Sequence, residues 1–276
     1  MLTRPTAAVL RSLAGAFAFS ILACATVLAQ SQTLKTVRFG ISSASVTTLS
    51  MPIGQAKGIF ERQGLKLEVV NMEGGSRGVQ VLLSGEIQAM HVGIGPLVLA
   101  NSEGADLRMI AATINTIPLT MFAQPKFKTA VDLKTASFGV STFGSESDIA
   151  VTLALKSFGI ERKTVSVSQL GGSSQRLAAL IAGRVDSITL PEPQSTQARN
   201  RGFTVILDLG AANTPWIYDA IVVQKSALKD ADLYQRLLWA YYEATHAGFA
   251  DEAMAKEVIA KSFKTTDKTG AMAGSW

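Results

Sequence analysis

The stretch "GGSRGVQVLLSGEIQAM", residues 74–90, has a counterpart in "GGSSQRLAALIAGRVDSI", residues 171–188. Each stretch opens with Gly-Gly-Ser and continues as an apolar segment with helical spacing. Each then passes a glycine, Gly85 or Gly183, before a short strand-like run. Glycine at that place favours the left-handed conformation that ends a helix. The two stretches therefore predict the same helix–turn–strand unit at two places in the chain.

Two further pairs of segments keep the same order along the chain. "RFGISS" at 38–43 matches "SFGVST" at 137–142, and "FERQGLKLEVV" at 60–70 matches "LKSFGIERKTVSV" at 155–167. The matched glycines and phenylalanines are 95 to 99 residues apart. Repeated matches in one order predict two lobes of similar architecture. A looser repeat of common α/β features is the alternative.

Short β-branched runs alternate with segments of helical spacing in the first repeat. We predict strands over 36–41, 65–71 and 87–92, and helices over 51–63 and 77–83. This alternation is typical of α/β proteins with largely parallel strands. Ligands of such proteins bind beyond the carboxyl ends of the strands. The loops at those ends are therefore the candidate binding loops.

Glycines and hydroxyl side chains fill these loops. Glycine lets backbone N–H groups approach a ligand closely, and helix N-termini favour negative charge. We therefore predict a cradle for an anion, with helix capping by Ser145 as a compatible duty. The candidate ligand-binding residues of these loops are Ser42, Ser43, Gly75, Ser76, Gly95, Ser141, Thr142, Gly144, Ser145, Gly172 and Ser173.

Three charged residues stand in or beside the proposed loops. Arg77 is interpreted either as a bidentate clamp on a carboxylate or sulfonate or as a solvated arginine at a helix start. Asp148 is expected on the solvent-facing stripe of its helix, because polar residues recur there every four positions. Glu146 is a carboxylate beside an anion site, and the sequence assigns it no role.

The first 29 residues are predicted to be a secretory signal peptide. Arg4 and Arg11 form a basic start, and residues 12–29 then run without a charge to a small-residue cleavage pattern at Val27-Leu28-Ala29. A membrane anchor and lipid attachment at Cys24 are the alternatives, and we expect neither. The segment predicts export to the periplasm.

Composition restricts the class of the exported protein. Without residues 1–29 the chain has no cysteine, so it has no disulfides and must rely on a sizeable core. The exported part has 24 basic and 21 acidic residues, a net charge of +3, and no basic run. Nucleic acid is therefore not an expected partner.

No catalytic or metal-binding constellation is evident in the sequence. The two histidines, His91 and His246, are about 155 positions apart and lack metal-ligand spacing. Neither lies in a candidate binding loop, so a Ser/His/Asp triad is not indicated. No phosphate-loop lysine follows the glycine pairs. We predict that the protein is not an enzyme and has no cofactor or metal.

The segments quoted above, together with "GADLRMIAA" at 104–112 and "LPEP" at 190–193, resemble the sulfonate/nitrate/taurine-type solute-binding proteins of bacterial ABC transporters. The resemblance covers roughly residues 34–260. It implies a type II periplasmic binding protein fold, in which two α/β lobes joined by two crossovers close over a small molecule in the cleft between them. The implied partners are the small-molecule ligand and the permease and ATPase of the inner membrane, with the protein as a monomer.

The resemblance also implies domain boundaries. Residues 30–118 form the first part of lobe 1, residues 119–213 form lobe 2, and residues 214–262 return to lobe 1 as helices. The crossovers are expected near 116–124 and 209–216. In the returning helix, predicted over 232–249, the buried side is expected to carry Leu233, Leu237, Leu238, Tyr241 and Tyr242.

Three further candidate ligand-binding residues follow from matching the family pattern. Glu192, in the acid-proline pair after a late strand, would pair with an amino group of the ligand, or it is a surface carboxylate. Trp216 and Tyr218 follow the second crossover, where they would floor the cleft or pack in the core. Residues 263–276 depart from the family pattern and form an atypical short tail.

The resemblance implies the extracytoplasmic solute-binding component of an ABC importer. Its ligand would be a small anionic or zwitterionic molecule of the sulfonate, nitrate, taurine or carboxylate class. Two alternatives are a ligand-sensing receptor subunit and a protein that binds, or as an enzyme makes, a pyrimidine precursor of the thiamine pathway.

Overall fold

Two mixed β-sheets, each flanked by helices, make up the protein. The computed structural model describes residues 33–212 and 215–263. The predicted signal peptide with Cys24, and the predicted tail from residue 264 on, lie outside the described residues. No helix of the described chain is both long and apolar enough to cross a bilayer.

The first sheet has the strand order β2-β1-β3-β10-β4. Strand β1 pairs in parallel with β2 and β3, and β10 runs antiparallel between β3 and β4. The parallel strands agree with the predicted β-α alternation, since each crossover between them contains helix. The strands are β1 (Lys35–Ile41), β2 (Leu65–Asn71), β3 (Ala89–Gly93), β4 (Leu107–Ile114) and β10 (Asp219–Gln224).

The second sheet repeats this arrangement in the order β7-β6-β8-β5-β9. Here β6 pairs in parallel with β7 and β8, and β5 is the antiparallel strand between β8 and β9. The equivalent order confirms the prediction of two similarly built α/β lobes. The strands are β5 (Thr120–Ala123), β6 (Ser137–Val140), β7 (Ser166–Gln169), β8 (Ser187–Leu190) and β9 (Thr204–Asp208).

Nine α-helices lie within the described residues. They are α1 (Ser50–Ala56), α2 (Ile59–Arg62), α3 (Gly75–Leu83), α4 (Ile94–Ser102), α5 (Glu146–Ser157), α6 (Ser173–Ile181), α7 (Gln194–Asn200), α8 (Ala231–Ala250) and α9 (Glu252–Phe263). Short 3-10 helices cover Val46–Thr48, Ala130–Thr135, Arg162–Thr164 and Lys225–Lys229.

The single helix predicted over 51–63 is wrong in one respect, because the structure divides it into α1 and α2. Gly58 adopts φ 63° at the break, a left-handed conformation that a continuous right-handed helix cannot contain. Gly64 ends α2 with φ 69°, as the sequence predicted. The chain then enters β2 over the predicted residues.

Helix α8 packs on the first sheet and supplies much of its core. Leu233, Tyr234 and Leu237 are buried in one cluster with Phe39 of β1, and Leu238 and Tyr241 are partly buried against it. The prediction that Tyr242 shares this side is wrong, since 57% of Tyr242 is exposed. The error arises because 100° per residue carries position 242 beyond the apolar stripe that Leu233 and Leu237 define.

The chain passes twice between the sheets. Residues 115–119 connect β4 to β5, and residues 209–218 connect β9 to β10. The first connection is shorter than the predicted 116–124, because Thr120–Ala123 already pairs as β5 in the second sheet. Each lobe therefore receives its antiparallel strand from a crossover, and the carboxyl ends of the parallel strands lie at the boundary between the lobes.

Candidate functional site

A small polar cavity lies between the two lobes at the ends of the parallel strands. About 40 Å³ of it is open to a water-sized sphere. Tyr218 is its one aromatic lining residue in the described chain. The cavity is lined by Ser42, Ser43, Ser45, Thr47, Gly75, Gly93, Pro96, Ser141, Ser145, Glu146, Ser147, Arg176, Pro191, Tyr218 and Asp219.

Three serine hydroxyls form a hydrogen-bonded cluster on the lobe 2 side. Ser141 Oγ lies 2.8 Å from Ser145 Oγ and 3.0 Å from Ser147 Oγ, and the Ser141 backbone N–H donates to Ser147 Oγ at 2.8 Å. All three residues are buried. The loop between β6 and α5 is thus ordered by its own hydroxyls, which explains the run of small polar residues before this helix.

Arg176 places a buried cation at the cavity. It belongs to α6, is 4% exposed, and lines the cavity. Its Nε donates to Thr189 O at 3.2 Å and its Nη1 to Gly171 O at 3.0 Å. Burial lowers its pKa to about 10, while the nearby Tyr218 and Glu73 act in the opposite direction. The guanidinium therefore stays charged at neutral pH, and the described hydrogen bonds leave Nη2 without a protein acceptor.

Asp219 places a buried carboxyl at the same cavity. It begins β10, is 4% exposed, and accepts a hydrogen bond from Thr47. Burial raises its pKa from 3.8 to about 7. Burial, followed by the negative charges of Asp219 and Glu146, raises the pKa of Tyr218, and Arg176 opposes that rise. Tyr218 therefore lies within electrostatic reach of both the basic and the acidic side of the cavity.

His91 lies behind Asp219 in β3. Thr113 Oγ1 donates to the Asp219 carbonyl oxygen at 2.9 Å, so it accepts from His91 Nε2 at 2.9 Å. Nδ1 is then the unprotonated nitrogen. It lies 3.7 Å from Asp219 Oδ2 and has no hydrogen-bond partner in the described chain. Burial lowers the pKa of His91 to about 3, so the ring is neutral at neutral pH.

Glu146 crosses from lobe 2 to lobe 1 and is 8% exposed. Its Oε1 accepts from the Gly95 N–H at 2.7 Å, and its Oε2 accepts from Trp216 Nε1 at 3.1 Å. Burial raises its pKa from 4.5 to about 7. The two hydrogen bonds oppose that rise, and the charge of Asp219 adds to it. The sequence assigned no role to this residue.

The structure brings six of the predicted site residues to the cavity, namely Ser42, Ser43, Gly75, Ser141, Ser145 and Tyr218. Five others contact the opposite lobe close to it. Ser76 binds Thr142 Oγ1 and Phe143 O, Ser173 binds Ser43 and Ala44, and Gly95 and Gly172 donate N–H groups to glutamates. Trp216 binds Glu146 rather than lining the cavity.

Three predicted site residues point elsewhere. Arg77 is exposed on α3. The Gly144 N–H donates to Asp148 at 3.0 Å, and Asp148 also pairs with Arg162, so it is not the free solvent-facing carboxylate we expected. The Glu192 carboxylate accepts from Arg199 at 2.8 Å and from the Thr196 N–H at 3.0 Å. Glu192 lines a separate cavity of about 370 Å³ beside the crossovers.

Sequence reasoning missed the three charged residues of the cavity. Arg176 lies inside the repeat, one helical turn after Ser173. Its position close to the glycine loop was the one feature of the sequence that could have indicated a binding residue. Asp219 opens the strand after the second crossover, in the same short region as Tyr218. For Glu146, Gly93 and Gly95 of the loop that donates a hydrogen bond to it were visible, but their distance along the chain hid the pairing.

Comparison with known proteins places this chain in a family. The family model described as "NMT1/THI5 like" matches residues 48–255, well over half of the chain. Chains of Brucella abortus and Brucella suis, whose names describe them as candidate binding proteins, are 28% identical over 153 residues. That match covers 55% of this chain and 46% of theirs, so the chain spans about half the length of these relatives.

Solved structures share the fold. The alkanesulfonate-binding protein SsuA from Xanthomonas axonopodis pv. citri, bound to MOPS, is 17% identical with a TM-score of 0.76, over 87% of this chain and 83% of SsuA. The periplasmic nitrate-binding protein NrtA from Synechocystis PCC 6803 is 18% identical with a TM-score of 0.70, over 85% and 66%. The predicted two-lobed fold is confirmed. The chain has a periplasmic binding protein fold and belongs to the NMT1/THI5-like family.

Proposed function

We propose that this protein is the extracytoplasmic solute-binding component of an ABC importer. It captures a small anionic or zwitterionic organic molecule by closing its two lobes. The observation that carries the proposal is the charged, buried Arg176 with a free Nη2 at a hydroxyl-lined cavity between the lobes. A buried cation without a carboxylate in hydrogen-bond contact attracts an anionic ligand. The sulfonate- and nitrate-binding proteins of the same fold support this ligand class.

The ligand meets two kinds of group in this cavity. Its anionic group binds the Arg176 guanidinium and the serine hydroxyls of lobe 2. At the other side, Asp219 and Glu146 offer carboxyl oxygens that suit an amine or another hydrogen-bond donor. An ω-amino sulfonate or a short amino acid uses both sides, and a simple sulfonate, carboxylate or nitrate uses one.

The lining of the cavity favours a small anion or zwitterion over a heterocycle. Most of its lining residues carry a hydroxyl or a charge, and Tyr218 is its one aromatic residue in the described chain. Stacking on an aromatic face would need an exposed ring at the cavity, and Tyr218 is buried. The pyrimidine-precursor alternative is therefore the weaker one, and a carrier without catalytic activity accounts better for the lining residues.

The role of a solute-binding protein also implies an oligomeric state, a location and a partner. The protein acts as a monomer in the periplasm after removal of residues 1–29, and its closed form docks on a permease driven by an ATPase. Lobe 1 comprises residues 30–118 and 214–262, and lobe 2 residues 119–213. The two chain passages at 115–119 and 209–218 support these boundaries.

Thermal unfolding against matched ligand pairs tests the proposal. The panel contains taurine and ethanesulfonate, β-alanine and propionate, nitrate, and an aminopyrimidine. A ligand at a hundred times its dissociation constant adds about 2.7 kcal/mol of stability and raises the melting temperature by several degrees. Stabilisation by one of the anions or zwitterions, lost in Arg176→Met, is the expected result. Stabilisation by the aminopyrimidine alone contradicts it.

A further inference from the structure

Two glutamates cross between the lobes in opposite directions. Glu146, the first residue of α5 in lobe 2, accepts from Gly95 at the start of α4 in lobe 1. Glu73, which precedes α3 in lobe 1, accepts at 3.2 Å from Gly172, the N-cap of α6 in lobe 2. Each lobe thus provides one carboxyl group to a helix N-terminus of the other, where unpaired N–H groups require an acceptor.

Glycines make room for Glu146. A Cβ atom added to Gly93 would lie 1.9 Å from Glu146 Cγ, and one added to Gly95 would lie 3.2 Å from Glu146 Oε1. A separation of 1.9 Å is far below van der Waals contact. Gly93 has φ −65°, which any residue can adopt. The absence of a side chain is therefore needed for the close approach of Glu146 and not for the backbone conformation.

Glu73 has an equivalent arrangement. A Cβ atom added to Gly172 would lie 2.5 Å from Glu73 Oε2, and Gly172 has φ −64°. Asn71 donates to Glu73 Oε1 at 2.7 Å, which orients the carboxylate toward lobe 2. Arg176, the cavity cation, also lies within electrostatic reach of Glu73.

We propose that Glu73 and Glu146 are reciprocal clasps, positioning residues that hold the lobes closed over the cleft when no ligand is bound. These two carboxyl groups are among several contacts between the lobes, which include the Ser43–Ser173, Ser76–Phe143 and Val46–Glu192 hydrogen bonds. Because the protein supplies its own carboxyl oxygens to these two helix ends, closure does not require the ligand there. The ligand's anionic group is left to Arg176.

The Glu146 clasp responds to pH. The titratable groups that face Glu146 are Asp219 and Tyr218 of lobe 1, and its donors are Gly95 and Trp216. Opening the lobes exposes the carboxyl and returns its pKa toward the ordinary value. Raising the pH through about 7 therefore favours the open form. The closed form gains most from the protonated carboxyl below the ordinary pKa of 4.5, and this gain is lost as the pH rises through about 7.

Small-angle X-ray scattering of the ligand-free protein at pH 6 tests the clasps. We compare wild type with Glu73→Ala, Glu146→Ala and Gly93→Ala, the last of which leaves both carboxylates in place. Glu243→Ala is the matched control, since it removes an exposed carboxylate that pairs with Arg62 within lobe 1. Circular dichroism and cooperative melting identify the variants that fold.

We expect a compact wild type and control. The three clasp variants should shift to a larger radius of gyration. The closed-to-open ratio should fall about tenfold for the two hydrogen bonds lost in Glu146→Ala and less for the one lost in Glu73→Ala. Wild type should also expand between pH 6 and 8.5, whereas Glu146→Gln, which keeps only Asp219 of the two cavity carboxyls with a pKa of about 7, should expand less. A wild type already as expanded as Gly93→Ala overturns the proposal, and so do folded clasp variants as compact as wild type. Because no ligand is added, these outcomes are independent of the proposed carrier function.

Discussion

Replacing Glu146 with Gln and Asp219 with Asn together should reverse the pH dependence of stability between pH 5 and 6.5. In the folded protein the pKa of each carboxyl is raised, from 4.5 to about 7 for Glu146 and from 3.8 to about 7 for Asp219. In this range the native state holds both protons and the unfolded state loses them. Native stability therefore falls as the pH rises, by about 1.4 kcal/mol per proton per pH unit.

His91 acts in the opposite direction. Burial lowers its pKa from 6.5 to about 3, so the unfolded state binds a proton between these values and the native state does not. Its contribution to stability increases as the pH rises to 6.5. Because two carboxyls oppose one histidine, the free energy of unfolding of the wild type should fall by about 2 kcal/mol from pH 5 to 6.5. The double variant retains only the His91 contribution, so its free energy of unfolding should rise by about 2 kcal/mol over the same interval.

Urea unfolding followed by circular dichroism at pH 5, 5.5, 6 and 6.5 measures both slopes. Gln and Asn keep the size of the side chains they replace, so packing changes little. Glu243→Gln, an exposed carboxylate, is the control and should retain the wild-type slope. A wild type whose stability rises over this interval, or a double variant that keeps the falling slope, would refute the assignment of these buried groups.

Three other outcomes are expected. Arg176→Met should reduce the affinity for the stabilising ligand by about 10- to 100-fold, the loss of one charge-assisted interaction, whereas Arg77→Met should change it less than twofold by calorimetry. Leu237→Ala should lower the free energy of unfolding by about 2–5 kcal/mol, but Tyr242→Ala on the exposed side of the same helix by less than about 0.5 kcal/mol, as urea titration will measure. Mass spectrometry of the exported protein should place its first residue directly after Ala29, and a lipid-modified cysteine would contradict this.

Much of the fold was predictable because it depends on local chemistry. The repeat around the two Gly-Gly-Ser turns predicted two similar lobes, and the strand over 65–71 has the predicted bounds. Glycines such as Gly64 end helices through their own backbone freedom. The break at Gly58 was missed because a single glycine within an apolar pattern does not by itself interrupt a helix.

The candidate site was only partly predictable. Hydroxyl and glycine loops at strand ends follow from the α/β pattern, and five of those predicted residues, Ser42, Ser43, Gly75, Ser141 and Ser145, line the cavity. The charges that define its chemistry did not emerge from the sequence. Arg176 and Asp219 belong to different lobes, and nothing local distinguishes a buried arginine in a helix from an exposed one such as Arg77.

The sequence alone determined the α/β class, the twofold repeat and the loops that face the cleft, because periodicity and glycine conformation act over a few residues. Only the tertiary structure decided which charges are buried together. Glu146 meets its partners Gly95 and Trp216 across 51 and 70 positions of the chain. The pKa of a carboxyl depends on the water it loses and the donors it gains, and here both are set by the closing of one lobe on the other.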